Sequence, residues 1–413
     1  GLPLACLCAK KGYQTFGFDI DEQKTQKINK GISPIKDEFS QKLLKKLKGK
    51  IKASTDPSII QKSDVTIVCV PTPVDKNHHP DLAPLEKSCE TVSKNLKKNS
   101  LVVIESTIFP GTIEEIVKPI LEKSGLECER DFFLVHCPER IDPGNKKWNI
   151  ENIPRVLGGL SNKGAQIAQK FYSSIIDGKI TVLSNARQAE AVKVTENSFR
   201  DINIAFVNEL ARSFPLMGLD IKEVISGAST KPFGFMPFHP GPGVGGHCIP
   251  VDPYYLIEKA KQKGFEHKFL SLARQINNSM PDYVIELSQK LLKEIGKDFS
   301  SAKIAVLGVA YKGDIYDMRE SPALEVIEML QQKGAKPSVF DPFIKEKSNV
   351  QNLEQAIDSA DLVLLLTKHS EFLKKISPQF LKQKKVKAIV DGHNCLDKEQ
   401  ITMAGIKYTG IGR

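Results

Sequence analysis

A cysteine in a glycine-rich loop is the residue of this sequence with the clearest potential for chemistry. Cys248 lies in the stretch GPGVGGHCIPVDP, and Asp252 follows it by four residues. The glycines before it are Gly241, Gly243, Gly245 and Gly246. Glycine lacks a Cβ atom, so such a run lets the backbone bend sharply or approach a ligand closely. A tight turn around a buried thiol would rarely need this many glycines, so we expect a nucleophilic thiol, with Asp252 placed to hold a water or a proton.

Four further polar side chains have types that suit proton transfer or charge stabilisation. Lys193 and Asn197 are four residues apart in AEAVKVTENSFRDIN, a helical pattern, so they share one helix face. Thr107 lies in the motif EST and Glu139 in CPER, each in a loop after an apolar run. From spacing alone, the first two are more often a solvent-exposed pair, and Glu139 is more often an ordinary surface carboxylate. Both interpretations stay open at this point.

The start of the sequence has two features of a dinucleotide site. Such a site has the pattern G-x-G-x-x-G after a strand and an acidic residue about 20 positions later. Asp19 ends a predicted strand, 18 residues after Gly1. We expect Gly1 to be the last glycine of that pattern. The first strand and the other two glycines would then precede residue 1. A solvated turn residue is the alternative for Asp19.

These residues need elements that bring them together, and the first third of the chain shows a parallel α/β pattern. Short β-rich runs alternate with helical stretches, as in a doubly wound sheet. The predicted strands are Thr15–Asp19, Val65–Val70, Leu101–Glu105, Phe132–His136 and Lys179–Leu183, and the predicted helices are Glu22–Lys30, Pro84–Leu96 and Ile113–Lys123. Three loops that follow strands are VPTP (70–73), ESTIFPGT (105–112) and CPER (137–140). Ligands of such sheets bind outside the carboxyl ends of the strands, so we expect these loops to line a cleft.

The rest of the chain predicts a helical middle and a second α/β lobe. Apolar residues at three- and four-residue spacing indicate helix over residues 186–218 and again over 254–296. A second βαβ unit opens with Lys303–Val309, which carries Gly308 alone where a dinucleotide fold needs three glycines. The predicted fold is therefore α/β, with two Rossmann-like doubly wound lobes joined by a central long-helix domain. The expected domains are residues 1–184, 185–298 and 299–413.

The composition is that of a soluble globular protein with more than one domain. The 413 residues are 40% hydrophobic and 26% charged. No apolar run approaches the roughly 18 residues of a membrane span. Eight scattered cysteines without a CxxC pair favour a reducing, cytoplasmic compartment, and no metal is expected. The net charge of +10 comes from lysine-rich amphipathic patterns without a nucleic-acid motif, so we expect neither nucleic acid nor membrane as a partner.

The cysteine loop resembles the signature of the nucleotide-sugar 6-dehydrogenases, the UDP-glucose and UDP-N-acetylhexosamine dehydrogenase family, whose pattern is G-x-G-G-x-C-x-x-x-D. The resemblance covers the whole chain, because five further motifs occur in the family's order. They are VPTP, ESTIFPGT, CPER, AEAVKVTEN and, after the cysteine loop, YKGDIYDMRESP. The resemblance implies an N-terminal NAD lobe, a central dimerising helix and a C-terminal UDP-sugar lobe. It also implies a four-electron oxidation of the C6 hydroxyl of a UDP-hexose, with Cys248 forming a thiohemiacetal and then a thioester.

The same resemblance assigns roles to the polar residues around the cysteine. Lys193 and Asn197 match the pair that stabilises the oxyanion and assists proton transfer. Glu139 matches the glutamate that activates the hydrolytic water, with Thr107 nearby, and Asp252 matches an aspartate that assists the lysine or the water. Lys193, Asn197 and Glu139 are also expected to contact the substrate. How the acid–base work divides among Lys193, Glu139 and Asp252 stays open.

The resemblance also implies the ligand contacts. For NAD they are Gly1, Asp19, Pro71, Thr72, Thr107 and Arg319. For the UDP-sugar they are the loop from Gly241 to Gly246, together with Tyr311 and Lys312 of AYKG. A homodimer or higher homo-oligomer is the expected assembly.

Three departures from the family bear on the substrate. His393 in DGHN replaces an arginine that the family often has after Asp-Gly. Pro143 stands where UDP-glucose enzymes tend to have a glutamate, and TKPFGFMPF is closer to the UDP-N-acetylglucosamine branch. UDP-N-acetylglucosamine is therefore the expected substrate, oxidised to UDP-N-acetylglucosaminuronate for polysaccharide biosynthesis. UDP-glucose and UDP-N-acetylmannosamine are the alternatives.

Two other classes of protein compete with this interpretation. A single-hydride dehydrogenase of the 3-hydroxyacid or 6-phosphogluconate type shares an N-terminal lobe and a helix lysine, but it needs no nucleophilic cysteine and no second lobe. A non-catalytic nucleotide-binding relative would need none of the polar residues around Cys248, all of which are present. Both alternatives are less favoured for these reasons.

Overall fold

The computed structural model describes residues 1–35, 38–75, 77–142, 145 and 147–413. Pro143, which bears on the expected substrate, lies outside this part of the chain. The described residues form two compact units, the first of residues 1–196 with 254–266 and the second of residues 197–253 with 267–413. The division into three domains stays a prediction.

The first unit is an α/β structure. Its elements in chain order are α1 (Leu2–Lys10), β1 (Thr15–Phe18), α2 (Glu22–Asn29), α3 (Glu38–Lys46), β2 (Ile51–Ser54), β3 (Val65–Val68), α4 (Ala83–Lys94), β4 (Ser100–Ile104), α5 (Lys118–Glu122), β5 (Phe132–His136), β6 (Arg155–Gly159), α6 (Asn162–Ile175) and β7 (Ile180–Val182). A 3-10 helix spans Pro57–Lys62, and a π-helical turn (Ile113–Val117) leads directly into α5. Polar side chains begin several helices; Asp21 accepts the N–H of Lys24 at the start of α2.

The strands of the first unit form two sheets. The strand β1 pairs with β2 in parallel, and the larger sheet has the order β3-β4-β5-β6-β7, with β5 and β6 antiparallel. No described strand pairs with both β1 and β3, and the expectation of a first strand before residue 1 stays a prediction. Val68 is opposite Ile104, and Ile104 is opposite His136. The loops that follow β3, β4 and β5 therefore start at one edge of the larger sheet.

Three helices come next along the chain. They are α7 (Ala186–Ser213), α8 (Ile221–Ala228) and α9 (Asp252–Gln262). The boundary between the two units falls within α7, after residue 196, and within α9, after residue 253. One unbroken helix therefore carries both Lys193 and Asn197, as the sequence predicts.

The second unit ends in an all-parallel sheet. The remaining elements are α10 (Lys268–Asn278), α11 (Met280–Glu294), β8 (Ile304–Leu307), α12 (Pro322–Gln332), β9 (Ser338–Phe340), α13 (Leu353–Ile357), β10 (Leu362–Leu365), α14 (Ser370–Lys375), α15 (Pro378–Gln383), β11 (Ala388–Asp391), α16 (Lys398–Met403) and β12 (Lys407–Gly410). The strand order is β12-β11-β10-β8-β9. This is the order 2-1-3-4-5 of a doubly wound fold, which reverses between β8 and β10.

Apolar side chains cover both faces of this second sheet. Ile304 and Val306 of β8 belong to one buried cluster together with Val284 of α11, whereas Ala305 and Leu307 belong to another. Burial on both faces explains why these strands are continuous apolar runs in the sequence. The predicted α/β class, with doubly wound lobes and a long central helix, is confirmed. No helix among the described residues is long and apolar enough to cross a membrane.

Candidate active site

The predicted nucleophile lies in the turn that leads into α9. The backbone N–H groups of Val251 and Asp252 donate to the carbonyl oxygen of Cys248, at 3.1 and 2.8 Å, and close this turn. The N-terminus of a helix carries partial positive charge and favours an anion. The side chain of Cys248 is partly exposed. Its position therefore suits a thiolate that a ligand can reach.

A hydrogen bond joins two of the predicted catalytic residues, Asn197 of α7 and Asp252 at the start of α9. The amide Nδ2 of Asn197 donates to Oδ2 of Asp252 at 2.5 Å. Asp252 is buried, with 2% of its surface exposed. The sequence grouped Asn197 with Lys193, and the structure adds this bond from Asn197 to Asp252. A buried carboxylate at this distance fixes the orientation of the Asn197 amide.

The glycine loop packs tightly against its own unit. A Cβ atom on Gly245 would lie 2.6 Å from the carbonyl oxygen of Glu320 and 2.6 Å from Cβ of Tyr311. Gly246 has a φ of 89°, and its N–H donates to the carbonyl of Arg319 at 2.9 Å. The glycines are therefore required here by close contact with Tyr311 and with the chain around residues 319–322. The structure thus brings together two groups of predicted substrate residues, the glycine loop and Tyr311.

Asn208 of α7 holds the beginning of this loop. Its Oδ1 accepts the N–H of Gly241 at 3.0 Å, and its Nδ2 donates to Asn277 of α10 at 2.9 Å. Asn277 in turn donates to Asp201 of α7 at 2.8 Å. Asn208 is fully buried. A buried chain of amides therefore fixes the loop to two helices.

Arg319, predicted to contact NAD, pairs with a near neighbour. Its Nη2 lies 2.6 Å from Oδ2 of Asp317, and its Nε lies 3.0 Å from Oδ1 of the same carboxylate. More than half of the arginine side chain is exposed. Lys312 is partly exposed. The ligand contacts of both residues stay predictions.

In the second lobe, the carboxylate at the position of a ribose anchor bonds to other residues of the same lobe. Asp341 follows β9, and its Oδ2 accepts the N–H groups of Val309 and Ala310 and lies 3.0 Å from Nε2 of His369. Burial opposes ionisation, but these hydrogen bonds outweigh it and hold the pKa of Asp341 well below its usual range. Gly308, with a φ of 94°, allows the chain to pass Thr367 closely. Since its own chain occupies this carboxylate, Asp341 differs from a ribose anchor, which agrees with the missing glycines of this lobe.

In the first unit, the predicted cofactor residues lie at two positions typical of a dinucleotide site. Gly1 is the residue before α1, so pyrophosphate oxygens would meet the N–H groups of that helix. Asp19 follows β1, and its backbone N–H donates to Ser54 at 3.3 Å. Its Oδ1 accepts the N–H of Asp21 at 3.0 Å, and Lys24 Nζ lies 3.8 Å from Oδ2. The contacts of Gly1 with the pyrophosphate and of Asp19 with the ribose of NAD stay predictions.

The loops after β3 and β4 are bound to each other and to α9. The hydroxyl of Ser106 donates to the carbonyl of Val70 at 2.8 Å. The hydroxyl of Tyr255, a fully buried residue of α9, donates to the carbonyl of Thr72 at 2.9 Å. Pro71 and Thr72, two of the predicted NAD contacts, therefore belong to a fixed loop. The sequence analysis did not identify Tyr255.

Glu139 accepts hydrogen bonds on both carboxylate oxygens. Its Oε1 accepts the N–H groups of Arg140 and Ile141, at 2.7 and 2.9 Å, and its Oε2 accepts Nη2 of Arg155 at 2.7 Å. Nη1 of the same arginine donates to Glu105 at 3.0 Å. Burial raises the pKa of Glu105, and the charge of Arg155 opposes that effect. Glu139 is therefore the partly exposed member of an ionic group whose other members, Arg155 and Glu105, are buried.

Glu190 fastens the other end of the loop that contains Thr107. Its two carboxylate oxygens accept the N–H groups of Gly111 and Ile113, at 2.5 and 2.7 Å. Only 1% of its surface is exposed, and burial raises its pKa to about 7. Since Glu190 lies on α7 one turn before Lys193, it ties the Thr107 loop to the helix of the predicted lysine.

The sequence contained a signal for some of the missed residues. Glu105 belongs to ESTIFPGT and Glu190 to AEAVKVTEN, so both lie inside motifs that were already recognised. Arg155 lies outside every motif, in a five-residue strand that was not predicted. Its role depends on contacts with residues 16 and 50 positions away, which no local pattern reveals.

Three family models match the chain in succession. The NAD binding domain of the UDP-glucose/GDP-mannose dehydrogenase family matches residues 1–176. The central domain of that family matches residues 187–279, and its UDP binding domain matches residues 305–398. Together these matches extend over most of the sequence.

Individual proteins are similar over the same length. The chain is 37% identical to a UDP-N-acetyl-D-mannosamine dehydrogenase of Pyrococcus horikoshii, over 100% of this chain and 97% of that protein. It is 36% identical to a UDP-N-acetyl-D-glucosamine 6-dehydrogenase of Pseudomonas aeruginosa, over 90% and 89%. Among solved structures, the UDP-D-ManNAc dehydrogenase of Pyrococcus horikoshii has a TM-score of 0.93 at 37% identity, covering 100% of this chain and 97% of that one. An NDP-N-acetyl-D-galactosaminuronic acid dehydrogenase of Methanosarcina mazei has a TM-score of 0.86 at 32% identity, with coverage of 100% and 93%.

Proposed function

Because the chain belongs to the UDP-glucose/GDP-mannose dehydrogenase family and is an NAD-dependent UDP-sugar dehydrogenase, we propose that it oxidises the C6 hydroxyl of a UDP-N-acetylhexosamine to a carboxylate, with Cys248 as covalent nucleophile. The observation that carries this proposal is the start of α9. A partly exposed cysteine lies there four residues before a buried aspartate that orients the Asn197 amide. This arrangement supplies a nucleophile and a fixed hydrogen-bond donor.

The reaction removes four electrons and consumes one water. NAD, when bound, accepts a hydride in each of the two oxidations. Between them the sulfur of Cys248 bonds to the aldehyde carbon, which prevents the aldehyde from leaving. The second oxidation leaves a thioester on Cys248. The water oxygen then bonds to C6, the carbon–sulfur bond breaks and the thiolate is released to take up a proton.

The polar residues divide this work. Lys193 and Asn197 stabilise the negative charge that develops on the C6 oxygen. Asp252 orients Asn197, since the two are hydrogen-bonded at 2.5 Å. Glu139 accepts a proton from the hydrolytic water, and Thr107 lies in the neighbouring loop. Because Glu139 is held on both oxygens, it can orient a water without moving.

The relatives bear on the choice of sugar. By their names, the Pyrococcus horikoshii relative acts on UDP-N-acetyl-D-mannosamine and the Pseudomonas aeruginosa relative on UDP-N-acetyl-D-glucosamine. The first of these is matched over the whole chain and the second over 90% of it. We therefore place UDP-N-acetylmannosamine first. UDP-N-acetylglucosamine, which the sequence alone favoured, is the alternative.

Exposed apolar side chains on two central helices, α7 and α10, favour a homodimer. Phe199 and Phe206 lie seven residues apart on α7, hence on one face, and about half of each side chain is exposed. Phe269 and Leu272 of α10 are 65% and 50% exposed. Apolar side chains with this exposure are typical of surfaces that a partner covers. A second copy of this chain is the proposed partner.

The experiment is to count the NADH formed per UDP-sugar consumed. UDP-N-acetylmannosamine, UDP-N-acetylglucosamine and UDP-glucose are compared in parallel, with Cys248→Ala as the variant and Cys89→Ala, a buried thiol of the first unit, as its control. We expect two NADH per sugar from a single preferred substrate, a Cys248→Ala enzyme that forms no uronate, and a Cys89→Ala enzyme that does. One NADH per sugar together with an active Cys248→Ala enzyme would show that the covalent route is wrong.

A further inference from the structure

A fully buried arginine joins two loops of the first unit. Arg155 is the first residue of β6 and has none of its surface exposed. Its two terminal nitrogens donate to different carboxylates, Nη1 to Glu105 at 3.0 Å and Nη2 to Glu139 at 2.7 Å. A buried guanidinium persists only when it is paired and hydrogen-bonded. Arg155 therefore links the end of β4 to the loop after β5.

The Glu105 end of this link is itself fixed. The hydroxyl of Tyr172, a fully buried residue of α6, donates to the same Glu105 oxygen at 2.6 Å. Glu105 precedes Thr107 by two residues, and Ser106 between them donates to Val70. The guanidinium is therefore connected through rigid contacts to the loop that contains Thr107.

The Glu139 end is fixed but still accessible. Three donors occupy the carboxylate, namely Arg155 on one oxygen and the N–H groups of Arg140 and Ile141 on the other. An ionised carboxylate has about four acceptor positions, so one remains for a water. About a third of the Glu139 side chain is exposed, at 36%. The arrangement suits a carboxylate that binds a water in one orientation.

We propose that Arg155 is a positioning residue for thioester hydrolysis, because it fixes the carboxylate of Glu139 relative to the Thr107 loop. This inference rests on the proposed function. In that step a water oxygen bonds to the C6 acyl carbon, the carbon–sulfur bond to Cys248 breaks, and one water proton passes to Glu139. The hydride transfers that precede it do not need the Glu139 carboxylate in this orientation.

Arg155→Lys is the variant that tests the proposal. It keeps the positive charge but loses the planar fork that bonds two carboxylates at once. Rapid-quench measurement of the NADH burst separates the two oxidations from the hydrolysis, and intact-protein mass spectrometry detects the acyl enzyme. We expect a burst within about 3-fold of wild type and a steady-state rate lower by about 100-fold, as for loss of an acid–base group. The acyl enzyme should accumulate.

The pH profile gives a second readout that a merely structural role would not change. The titratable groups that face Arg155 are Glu105 and Glu139, the Cys137 thiol and the Tyr172 hydroxyl, and Cys69 lies 3.7 Å from Glu105. In Arg155→Met the two carboxylates lose the positive charge that bonds to both of them, and two neighbouring negative charges favour protonation. We expect the acidic limb of the steady-state rate to move to higher pH than in wild type, and less so in Arg155→Lys.

Tyr172→Phe and Arg413→Lys complete the experiment. Tyr172→Phe removes one hydrogen bond to Glu105 and no charge, so it should accumulate acyl enzyme to a smaller degree even if the arginine variants do not fold. Arg413→Lys alters a partly buried arginine of the second unit, which pairs with Asp220 at 2.7 Å, and should accumulate none.

The possible failures are distinguishable. If wild-type enzyme does not release two NADH per sugar, the proposed function is wrong whatever the variants do. If wild type does so, but Arg155→Lys or Tyr172→Phe slows the burst as much as the steady state without acyl enzyme, Arg155 is not a positioning residue for hydrolysis.

Discussion

Glu190 shows at the scale of single residues how burial and hydrogen bonding compete. Its carboxylate is almost fully buried, yet it accepts two backbone N–H groups that close the loop of Thr107. Burial raises its pKa to about 7, against an ordinary value of 4.5. The folded protein therefore binds this proton more tightly than the unfolded chain does.

Linkage gives the sign of the resulting pH dependence. Below about pH 4.5 the group is protonated in both states, and its stabilising effect is complete. As pH rises through 7 the folded protein must ionise a buried carboxylate, and up to about 3 kcal/mol of stability is lost. We expect the unfolding free energy of wild type, relative to Glu190→Gln, to fall by about this amount between pH 4.5 and 8.

Urea unfolding at four pH values in this range measures the difference. Glu90→Gln, which alters an exposed carboxylate of α4 in the first unit, is the matched control and should give no such slope. Parallel stability curves for wild type and Glu190→Gln would show that Glu190 does not titrate near neutrality in the folded protein.

At the scale of elements, the glycine loop can pack closely only because Gly245 has no side chain. Gly245 lacks space for a Cβ atom because Glu320 and Tyr311 lie 2.6 Å from its position. Gly227, near the end of α8, has nothing within 4 Å of its Cβ position and no left-handed φ. The two glycines therefore form a matched pair, one in a crowded and one in an open setting.

Gly245→Ala should displace the loop from Tyr311, whereas Gly227→Ala should be tolerated. Overpacking of this kind costs about 1–3 kcal/mol. We expect Gly245→Ala to lower Tm and to raise the KM for the UDP-sugar by about tenfold or more, with a smaller effect on the KM for NAD. Thermal unfolding and steady-state kinetics are the measurements. Equal kinetics for the two variants would show that this contact does not shape the substrate site.

At the scale of elements, the sequence predicted the longest helices and the most apolar strands within a few residues. The runs that became β4, β5 and β8 are apolar and buried on both sides, which is a strong local signal. Two strands of the first unit, β2 and β6, were missed. They are short and contain lysine or paired glycines, so only their pairing with neighbouring strands makes them β-structure.

At the scale of the whole molecule, exposed apolar side chains bear on the proposed dimer. Phe206 of α7 is 53% exposed, and Met403 of α16 is 86% exposed. Only the first belongs to the apolar face proposed to bind a second copy. If that proposal is correct, a charge at Phe206 must be desolvated in the dimer, which is costly.

We expect Phe206→Asp to convert a dimer into monomers at micromolar concentration, and Met403→Asp to leave the dimer intact. Light scattering coupled to size-exclusion chromatography measures the mass directly. A monomeric wild type would contradict the proposed assembly, as would a Phe206→Asp variant that stays dimeric.

The sequence by itself determined the class of fold and predicted the residues of the chemistry. Cys248, Asp252, Glu139, Lys193 and Asn197 lie in motifs whose residue types and spacing are local properties, and the alternation of strands and helices is local as well. These features could be recognised because each depends on residues close together in the chain.

Only the tertiary structure decided which side chains meet. Asn197 bonds to Asp252 across 55 positions, and Arg155 bonds to Glu105 across 50. Tyr255 reaches Thr72 across 183 positions. Such contacts are set by how sheets and helices pack, and packing is a property of the whole fold that no local pattern contains.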